Sequence, residues 1–467
     1  MIFASFEFLL LFLPLFFTVY YLTPVRFRNW PILILSWAFY AWWRVDFLAL
    51  LVCVTLFTYL TSRMMVAVGL GSRGGKLWLQ AGLIGNLGVL AYFKYANFGV
   101  DTLDGILAVG GYGDVTWTNI VLPAGLSFYV LQSISYLVDV WRGTIPVSRS
   151  LLNYAAYKAM FSQLIAGPIV RYAQIADELK GRVHTLALFG LGARRFMVGF
   201  CMKVIIADTL SPLVDSIFKL PTPSLADSWL GAVAYTLQLY FDFAGYSAMA
   251  IGLALMIGFH FPENFDNPYL SASIQAFWQR WHITLSSFLR DYLYISLGGN
   301  RRGTVRTYVN LSLTMLIGGF WHGANWTFVA WGAWQGGLLA LHRYYAGRGG
   351  RMPWLPGHIL TLLAVILGWV VFRADTFTEA LRMYTGMAWL HGTGITDGLA
   401  WQLTSDRLWM VLIGVLVCYV PLVERPVAAA MGQVGASLSL VAPLCGFLLA
   451  LVLLYSRAAV PFLYFQF

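Results

Sequence analysis

His322 is the ionisable residue whose surroundings most directly suggest chemistry. It lies in Gly318-Gly-Phe-Trp-His-Gly-Ala-Asn-Trp326, between two apolar runs. If those runs cross a membrane, an ionisable side chain between them is a functional candidate by default. The glycines permit close approach of backbone or substrate, and Asn325, about one helical turn further on, would orient the imidazole if this stretch is helical. An interfacial histidine bonded to a backbone carbonyl is the less favoured alternative.

His282 is the second candidate, in Trp278-Gln-Arg-Trp-His-Ile-Thr-Leu-Ser-Ser-Phe-Leu-Arg-Asp-Tyr292. His282, Ser286 and Arg290 are four residues apart, which places them on one polar seam of a helix. Apolar residues at helical spacing accompany this seam: Trp278, Trp281, Leu285 and Phe288. The pattern predicts an amphipathic helix at the cytoplasmic interface. A solvated helix face explains His282 as well as a functional role does, and it explains Arg290 better.

Asp242 lies inside an apolar run, where a carboxylate must be paired, hydrogen-bonded or protonated. A structural bond to a tyrosine or arginine of another helix is favoured over catalysis. Several enzyme classes lack their motifs: there is no phosphate loop ending in Lys-Ser/Thr, no His-Glu-x-x-His and no Gly-x-Ser-x-Gly. The four cysteines show no metal-ligand spacing and are interpreted as packing residues, so no metal site is predicted.

The composition indicates which elements must position these residues. Of 467 residues, 59% are hydrophobic and 11% are charged, and the mean hydropathy is +0.71. Because soluble domains carry about 25% charged residues, a soluble protein is excluded. We predict an all-α, polytopic integral membrane protein with roughly 11 transmembrane helices plus re-entrant and interfacial helices. The predicted spans are 6–22, 30–43, 47–61, 77–93, 120–140, 196–218, 229–259, 326–341, 359–372, 408–423 and 438–454.

The basic residues predict the orientation of these spans. The formal net charge is +10, and the basic residues cluster between apolar runs, so the positive-inside rule explains them better than nucleic-acid binding does. Arg26 and Arg28 follow the first span, which predicts an N-terminus on the outer side. That first run lacks the basic start of a signal peptide and is expected to be a retained helix. A later cytoplasmic stretch is rich in arginine: Arg280, Arg290, Arg301, Arg302 and Arg306.

Three segments, 163–168, 264–269 and 316–323, are too rich in glycine, proline or asparagine to be plain spans. Irregular backbone at membrane depth is tolerated only where it is buried in protein or lines a water-filled cavity. The sequence therefore predicts a polar cavity. No internal repeat is visible, which argues against the duplicated architecture of many secondary transporters.

Further motifs follow one another in order along the chain: Tyr40-Ala-Trp-Trp-Arg44, Tyr92-Phe-Lys-Tyr-Ala-Asn-Phe98, Gln163-Leu-Ile-Ala-Gly-Pro168, Tyr240-Phe-Asp-Phe-Ala-Gly-Tyr246 and Leu297-Gly-Gly-Asn-Arg301. Together with the two histidine segments, they resemble the membrane-bound O-acyltransferase family. Within it, the chain is most similar to the bacterial branch that acetylates exported exopolysaccharides. The resemblance extends from residue 1 to residue 343 and is looser beyond. Ordered motifs over such a length are more specific than any one of them.

The resemblance implies a single membrane-embedded domain, 1–467, with a central funnel and both histidines on its walls. N-terminal helices (1–145) and C-terminal helices (346–467) would flank a catalytic core (146–345). It further implies transfer of acetyl from cytoplasmic acetyl-CoA, without a bound cofactor, across the bacterial inner membrane. The acceptor would be a periplasmic SGNH-type acetyltransferase, working with an exopolysaccharide synthesis and export complex on alginate or cellulose. The N-terminus would then be periplasmic, with membrane lipid around the helices and no nucleic-acid partner.

Histidine suits this reaction because its pKa begins near working pH, as a general base requires. We predict that His322 takes the proton of the acceptor hydroxyl, while Asn325 or His282 orients the base or bonds the developing oxyanion. The predicted substrate-binding residues are Asn325, Trp321, Trp278 and Ser286, with Arg280, Arg290, Arg301 and Arg302 for the phosphates of CoA. A covalent acetyl-histidine relay, a transporter of an acyl or anionic substrate, and a scaffold for a polysaccharide synthase are the alternatives.

Overall fold

The computed structural model describes residues 2–112, 115–457 and 460–463, and it leaves the side chains of 423–440 undescribed. Within that part of the chain, all regular secondary structure is helical, which confirms the all-α prediction. The chain divides into two compact units, Met1–Leu191 with Leu253–Pro262 and Gly192–Gly252 with Glu263–Phe467. Both candidate histidines lie in the second unit. The division of the chain at 145 and 345 stays a prediction.

The first unit begins with the helical stretch Glu7–Leu22. Its main further helices are Asn29–Ala41, Val45–Val68, Arg73–Leu90, Ala96–Val109, Leu126–Trp141, Leu151–Ala159, Phe161–Leu164 and Tyr172–Lys180. The predicted span 120–140 becomes helical only at Leu126, because Gly125 takes a left-handed φ of 74°. A Cβ at Gly125 would lie 2.2 Å from the carbonyl oxygen of Leu164, so only glycine fits there. The predicted break at 163–168 is confirmed, since the helix ends at Leu164.

The described part of the second unit contains two π-helical turns, Met202–Ala207 and Leu289–Tyr294. The α-helices that lie wholly or mostly in this unit are Leu186–Cys201, Asp208–Phe218, Leu225–Met256, Ile274–Arg280, Ile283–Phe288, Thr304–His322, Trp326–Gly347, Trp354–Arg373, Phe377–Met387, Asp397–Ala400 and Ser405–Ser456. The predicted turn at 264–269 is confirmed between the helices Leu225–Met256 and Ile274–Arg280, and the backbone of Asn267 is left-handed with a φ of 45°.

Five helical segments of the described chain are long and apolar enough to cross a membrane: Val45–Val68, Leu186–Phe218, Leu225–Met256, Trp354–Arg373 and Ser405–Leu422. Shorter apolar helices are Glu7–Leu22 and Val441–Ser456. These segments agree with a multi-pass membrane protein, and the count of roughly 11 spans stays a prediction.

The helical stretch Ser405–Ser456 contains two predicted spans, 408–423 and 438–454. The side chains of residues 423 and 438–440 in these spans lie outside the described part of the structure. Nη2 of Arg457 is 3.6 Å from Oδ2 of Asp406, at the other end of the stretch. A straight helix of this length would hold the two ends about 78 Å apart. The apolar segments Ser405–Leu422 and Val441–Ser456 therefore run antiparallel, as two spans would.

A glycine pair brings the apolar helices Leu186–Cys201 and Leu225–Met256 into backbone contact. A Cβ at Gly199 would lie 2.5 Å from the carbonyl oxygen of Gly245, and a Cβ at Gly245 would lie 2.6 Å from that of Gly199. Membrane helices commonly pack closely through such small residues. The close crossing allows Lys203 and Asp242 to form an ion pair across it, with Nζ 2.8 Å from Oδ1.

Candidate active site

His322 is the last residue of the helix Thr304–His322. The prediction of irregular backbone over 316–323 is wrong, because its glycines serve helix packing instead. A Cβ at Gly319 would lie 2.4 Å from the carbonyl oxygen of Phe328 and 2.9 Å from Cα of Gly332. The helix Trp326–Gly347 therefore packs directly against the turn that precedes His322, which fixes where the imidazole emerges.

Aromatic rings surround the imidazole of His322, whose side chain is buried. The ring centres of Trp321, Trp331 and Phe372 lie 5.1, 5.2 and 5.4 Å away. The Trp331 and Phe372 rings meet the imidazole edge to face, at 89° and 74°. Such packing holds the ring in one orientation and keeps bulk water away from it.

His282 is fully buried and separates two short helices, Ile274–Arg280 and Ile283–Phe288. Its backbone has a left-handed φ of 42°, which is uncommon for a residue other than glycine. The predicted amphipathic helix at the interface is therefore wrong, since the helix breaks at Trp281 and His282. The apolar row that suggested it is buried in the protein core: Trp278, Trp281, Leu285 and Phe288.

Asn264 accounts for the unusual position of His282. Its backbone carbonyl accepts the N–H of Ile283 at 2.9 Å, and its side-chain Oδ1 lies 3.0 Å from Nδ1 of His282. The same Oδ1 accepts the hydroxyl of Thr284 at 2.8 Å and its backbone N–H at 3.3 Å. A backbone N–H only donates, so the oxygen of the amide must face this group. Nδ1 of His282 then carries a proton and Nε2 presents a lone pair.

Burial lowers the pKa of His282 to about 3, because no charged group compensates the loss of water around the ring. The imidazole is therefore neutral at physiological pH. Within the described part of the chain, its Nε2 has no hydrogen-bond partner. A buried acceptor without a donor is costly, so Nε2 is suited to receive a hydrogen bond from a bound group.

The two imidazole rings are neighbours, with their centres 6.4 Å apart and their planes inclined by 57°. This separation is longer than a direct hydrogen bond between the rings. A reacting atom that contacts a nitrogen of each ring would lie about 3 Å from both. The Trp321 ring packs beside both imidazoles, with its centre 6.4 Å from that of His282 and 5.1 Å from that of His322.

A cavity of about 540 Å³ lies beside the helix that ends at His322. Its lining includes Trp278, Ser286, Arg290, Arg301, Met315, His342 and Arg343. Trp278 joins this cavity to the histidines, because its ring contacts Trp331 at 5.8 Å and Trp331 contacts His322. Nε1 of Trp278 donates to the side-chain oxygen of Gln335 at 3.2 Å, which fixes the indole in this wall.

Comparison with known proteins identifies the family. The sequence pattern of the membrane-bound O-acyltransferase family matches residues 144–372. A protein of Azotobacter vinelandii named "Probable alginate O-acetylase AlgI" is 47% identical over 504 aligned positions, which cover 100% of both chains. The chain belongs to the membrane-bound O-acyltransferase family.

Two further relatives extend this similarity. A protein of Pseudomonas aeruginosa, also named "Probable alginate O-acetylase AlgI", is 52% identical over 388 positions, covering 83% of this chain and 75% of the relative. The "Peptidoglycan O-acetyltransferase" of Helicobacter pylori is 35% identical over 426 positions, covering 83% of this chain and 80% of the relative. The resemblance noted from the motifs is thus confirmed, and the protein is an O-acyltransferase. Membership of this family favours the enzyme over the transporter and the scaffold.

The structure distributes the predicted substrate residues of this O-acyltransferase between two places. Trp278, Ser286, Arg290 and Arg301 line the cavity and Trp321 borders the histidines, whereas Arg280 and Arg302 are not among the lining residues of that cavity. Asn325 begins the helix Trp326–Gly347: its Oδ1 accepts the N–H of Thr327 at 3.2 Å and its amide donates to the Asp375 carbonyl at 2.8 Å. Its role in orienting the base stays a prediction.

Sequence reasoning missed Asn264 and Lys203. Asn264 was assigned only to a turn, and nothing in the sequence links it to His282, 18 residues later. Lys203 had a visible signal, because it is a lysine inside the predicted span 196–218, five residues before Asp208. Asp242 was expected to bond a tyrosine or arginine, and the structure gives it Lys203 instead. Among the described residues, no cluster of three metal-ligating side chains is present.

Proposed function

We propose that this O-acyltransferase transfers acetyl from acetyl-CoA in the cytoplasm to a hydroxyl, as the membrane step in O-acetylation of an exported exopolysaccharide. The observation that carries the proposal is the pair of buried imidazoles, 6.4 Å apart, beside an arginine-lined cavity. The printed names of the Azotobacter vinelandii and Pseudomonas aeruginosa relatives favour alginate as the polymer. Cellulose remains the second candidate.

The cavity supports a CoA thioester as the donor. Arg290, Arg301 and Arg343 line it, and a guanidinium group matches the geometry of phosphate oxygens. Met315, also in the lining, is seven residues from His322 along one helix, a distance of about 10 Å. A thioester on the flexible arm of CoA would cross that distance while its phosphates stay on the arginines.

We propose that His322 is the general base and that a single proton passes through it during the reaction. A nitrogen of His322 removes the proton of the acceptor hydroxyl as its oxygen bonds to the acetyl carbon. The C–S bond then breaks, and the imidazolium returns its proton to the CoA thiolate, so that an ester and a thiol are formed. The aromatic walls around His322 keep water out, which protects the thioester from hydrolysis.

His282 takes a different part because its tautomer is fixed. With Nδ1–H bonded to Asn264, its Nε2 accepts a hydrogen bond and does not donate one to an oxyanion. We therefore propose that Nε2 accepts a hydrogen bond on the side where the acceptor substrate binds. The donor would be a water or a polar group next to the reacting hydroxyl. This assignment replaces the oxyanion role expected for His282.

The proposal also places the protein in the bacterial inner membrane with its N-terminus in the periplasm. The next acceptor of the acetyl group would be a periplasmic SGNH-type acetyltransferase. Both points are supported by the basic loops of the sequence and by the relatives, whose names concern polymers of the bacterial envelope. A reporter fused before residue 2 that is active only in the periplasm would agree with this orientation. Activity of the same reporter only in the cytoplasm would contradict it.

The test is CoA release from acetyl-CoA by purified protein supplied with a hydroxyl acceptor, together with acetylation of the exported polymer measured in cells. His322→Ala should lower both by at least 100-fold, since a general base contributes typically 10²–10⁴-fold. His260→Ala removes an exposed histidine of the first unit and should change neither. Normal acetylation in His322→Ala would refute the proposal. Radiolabelled acetyl recovered on His322 would favour the covalent relay over direct transfer.

A further inference from the structure

Lys203, Asp208 and Asp242 form a buried ion cluster that the reaction does not use. Nζ of Lys203 lies 2.5 Å from Oδ1 of Asp208 and 2.8 Å from Oδ1 of Asp242. Lys203 and Asp208 are five residues apart in and beside the π-helical turn Met202–Ala207, and the i→i+5 geometry of that turn brings both to one face. Asp242 reaches them across the close helix crossing at Gly199 and Gly245.

The cluster also binds the backbone of residues 460–463, which we call the strap. Nζ of Lys203 has a third contact, the carbonyl oxygen of Val460 at 3.3 Å. Oδ2 of Asp242 accepts the backbone N–H of Leu463 at 2.8 Å. Lys203 therefore donates hydrogen bonds to Asp208 and to the strap, and it pairs by charge with Asp242. Without the strap, Oδ2 of Asp242 would lose this donor while remaining buried, which is unfavourable for a carboxylate.

A second anchor holds the chain just before the strap. Nη1 of Arg457 donates to the hydroxyl of Thr209 at 2.6 Å, next in sequence to Asp208. A cavity of about 320 Å³ lies along this side of the cluster, lined among others by Asp208, Arg457 and Val460. Polar and charged contacts therefore hold the chain both at the strap and just before it.

The strap reaches His282 through two aromatic rings. The ring centre of Phe462 is 4.6 Å from that of Tyr246 and 5.8 Å from that of Phe243. Phe243 follows Asp242 in the same helix, and its ring meets the imidazole of His282 edge to face at 4.6 Å and 87°. Phe243 and Asn264 thus hold the imidazole, and Phe462 packs against the outer side of Phe243.

We infer that Lys203 and Asp242 clamp the strap so that Phe462 holds Phe243 against His282, which makes Phe462 a positioning residue for the transfer reaction. The inference rests on the proposed function for its kinetic consequence. Phe462 acts through its ring contact with Phe243, which in turn contacts the imidazole of His282. Loss of its ring should leave donor binding intact, because the arginine-lined cavity does not include the strap.

Phe462→Ala tests the ring, with Phe462→Leu as the conservative control. We expect kcat of Phe462→Ala, measured on the folded protein, to fall about 10-fold with KM for acetyl-CoA nearly unchanged, and Phe462→Leu to recover at least half of kcat. The thermal midpoint of Phe462→Ala should fall as well, because the ring is buried. A merely structural role would lower the midpoint and leave kcat of the folded fraction unaltered. That result, or a kcat of Phe462→Ala within 2-fold of the unsubstituted protein, would overturn the inference.

Hydrogen exchange tests the clamp without any assay of activity. In the unsubstituted protein, the amide of Leu463 should exchange at least 100-fold more slowly than in an open chain. Leu463→Pro removes this donor and should speed exchange in the peptide 277–288 around His282, whereas Leu463→Ala keeps the donor and should not. An unprotected Leu463 amide overturns the clamp even if the variants fail to fold. Absence of CoA release by the unsubstituted protein would instead refute the proposed function and leave the exchange result standing.

Discussion

Oδ1 of Asn264 lies 3.0 Å from Nδ1 of His282 and accepts two further hydrogen bonds from Thr284. This one oxygen fixes both the orientation and the tautomer of a buried imidazole. A neighbouring residue commonly bonds one ring nitrogen of a histidine in this way where the lone pair of the other nitrogen must point at a ligand. The relationship makes Asn264 part of the site, although it touches neither the proposed donor cavity nor His322.

Asn264→Ala should therefore lower kcat by roughly 10- to 100-fold, the size of effect that loss of an orienting partner produces. Without the acceptor at Nδ1, the imidazole of His282 would take either tautomer. Ser247→Ala is the matched control, because it removes only the hydroxyl that receives the amide of Asn264 at 3.0 Å. Steady-state release of CoA measures both. Equal activity of Asn264→Ala and Ser247→Ala would exclude the orienting role.

Arg301→Ala should raise KM for acetyl-CoA by about 3- to 10-fold without lowering kcat, because one exposed charge contact contributes about 1 kcal/mol. Arg301 lines the donor cavity, and the adjacent Arg302 does not. Arg302→Ala removes the same charge from the same loop and should leave KM within 2-fold. The comparison is made at constant ionic strength, since both effects are screened by salt. If the two variants raise KM equally, the arginines act only through the net charge of the loop.

His322 was predictable as a candidate because an ionisable residue in an apolar context is rare in a membrane protein. His282 was selected from the polar seam of its segment and from the family resemblance, and the structure brings the two rings to 6.4 Å. The glycines beside His322 were correctly expected to permit close approach of backbone. Gly319 uses that freedom to pack against the helix Trp326–Gly347, which extends the helix to His322 where a break was expected.

The break at His282 was not predictable from its own segment, since four apolar residues at helical spacing describe an intact helix equally well. What decides it is a contact with Asn264, which is distant in sequence and competes successfully with local helix propensity. The Lys203 and Asp242 pair had a readable signal, because opposite charges inside two predicted spans must compensate each other. The strap had none, since its attachment depends on backbone groups of 460–463.

Gly245→Ala should destabilise the protein by about 1–3 kcal/mol, because its methyl group would meet the carbonyl oxygen of Gly199 at 2.6 Å and separate the two helices. The same separation should weaken the Lys203–Asp242 ion pair and lower kcat. Gly337→Ala is the control, a helical glycine whose added Cβ meets nothing within 4 Å. Thermal midpoints in one detergent measure the difference. A midpoint of Gly245→Ala equal to that of Gly337→Ala would show that the crossing is not tightly packed.

The stability of the protein should fall as the pH drops below about 6.5, the ordinary pKa of histidine in an unfolded chain. Burial holds the pKa of His282 at about 3 in the folded protein, so between these two values the unfolded chain binds the extra proton. The state that binds more protons is stabilised as the pH falls, and between pH 6.5 and 3 that state is the unfolded chain. The folded protein therefore loses free energy of unfolding through this pH range and keeps it above pH 6.5. His282→Asn should flatten that part of the curve of thermal midpoint against pH.

His391→Asn controls for the loss of one histidine, because His391 is only half-buried and its Nδ1 donates a hydrogen bond to the Pro223 carbonyl. Its curve should keep the slope of the unsubstituted protein. The same depressed pKa has a kinetic consequence: His282 stays neutral down to pH 5, so a loss of kcat between pH 8 and 5 must come from another group. If that loss persists in His282→Asn, it comes from a group other than His282, as the assignment of the base to His322 requires. If His282→Asn abolishes it, the two histidines exchange roles.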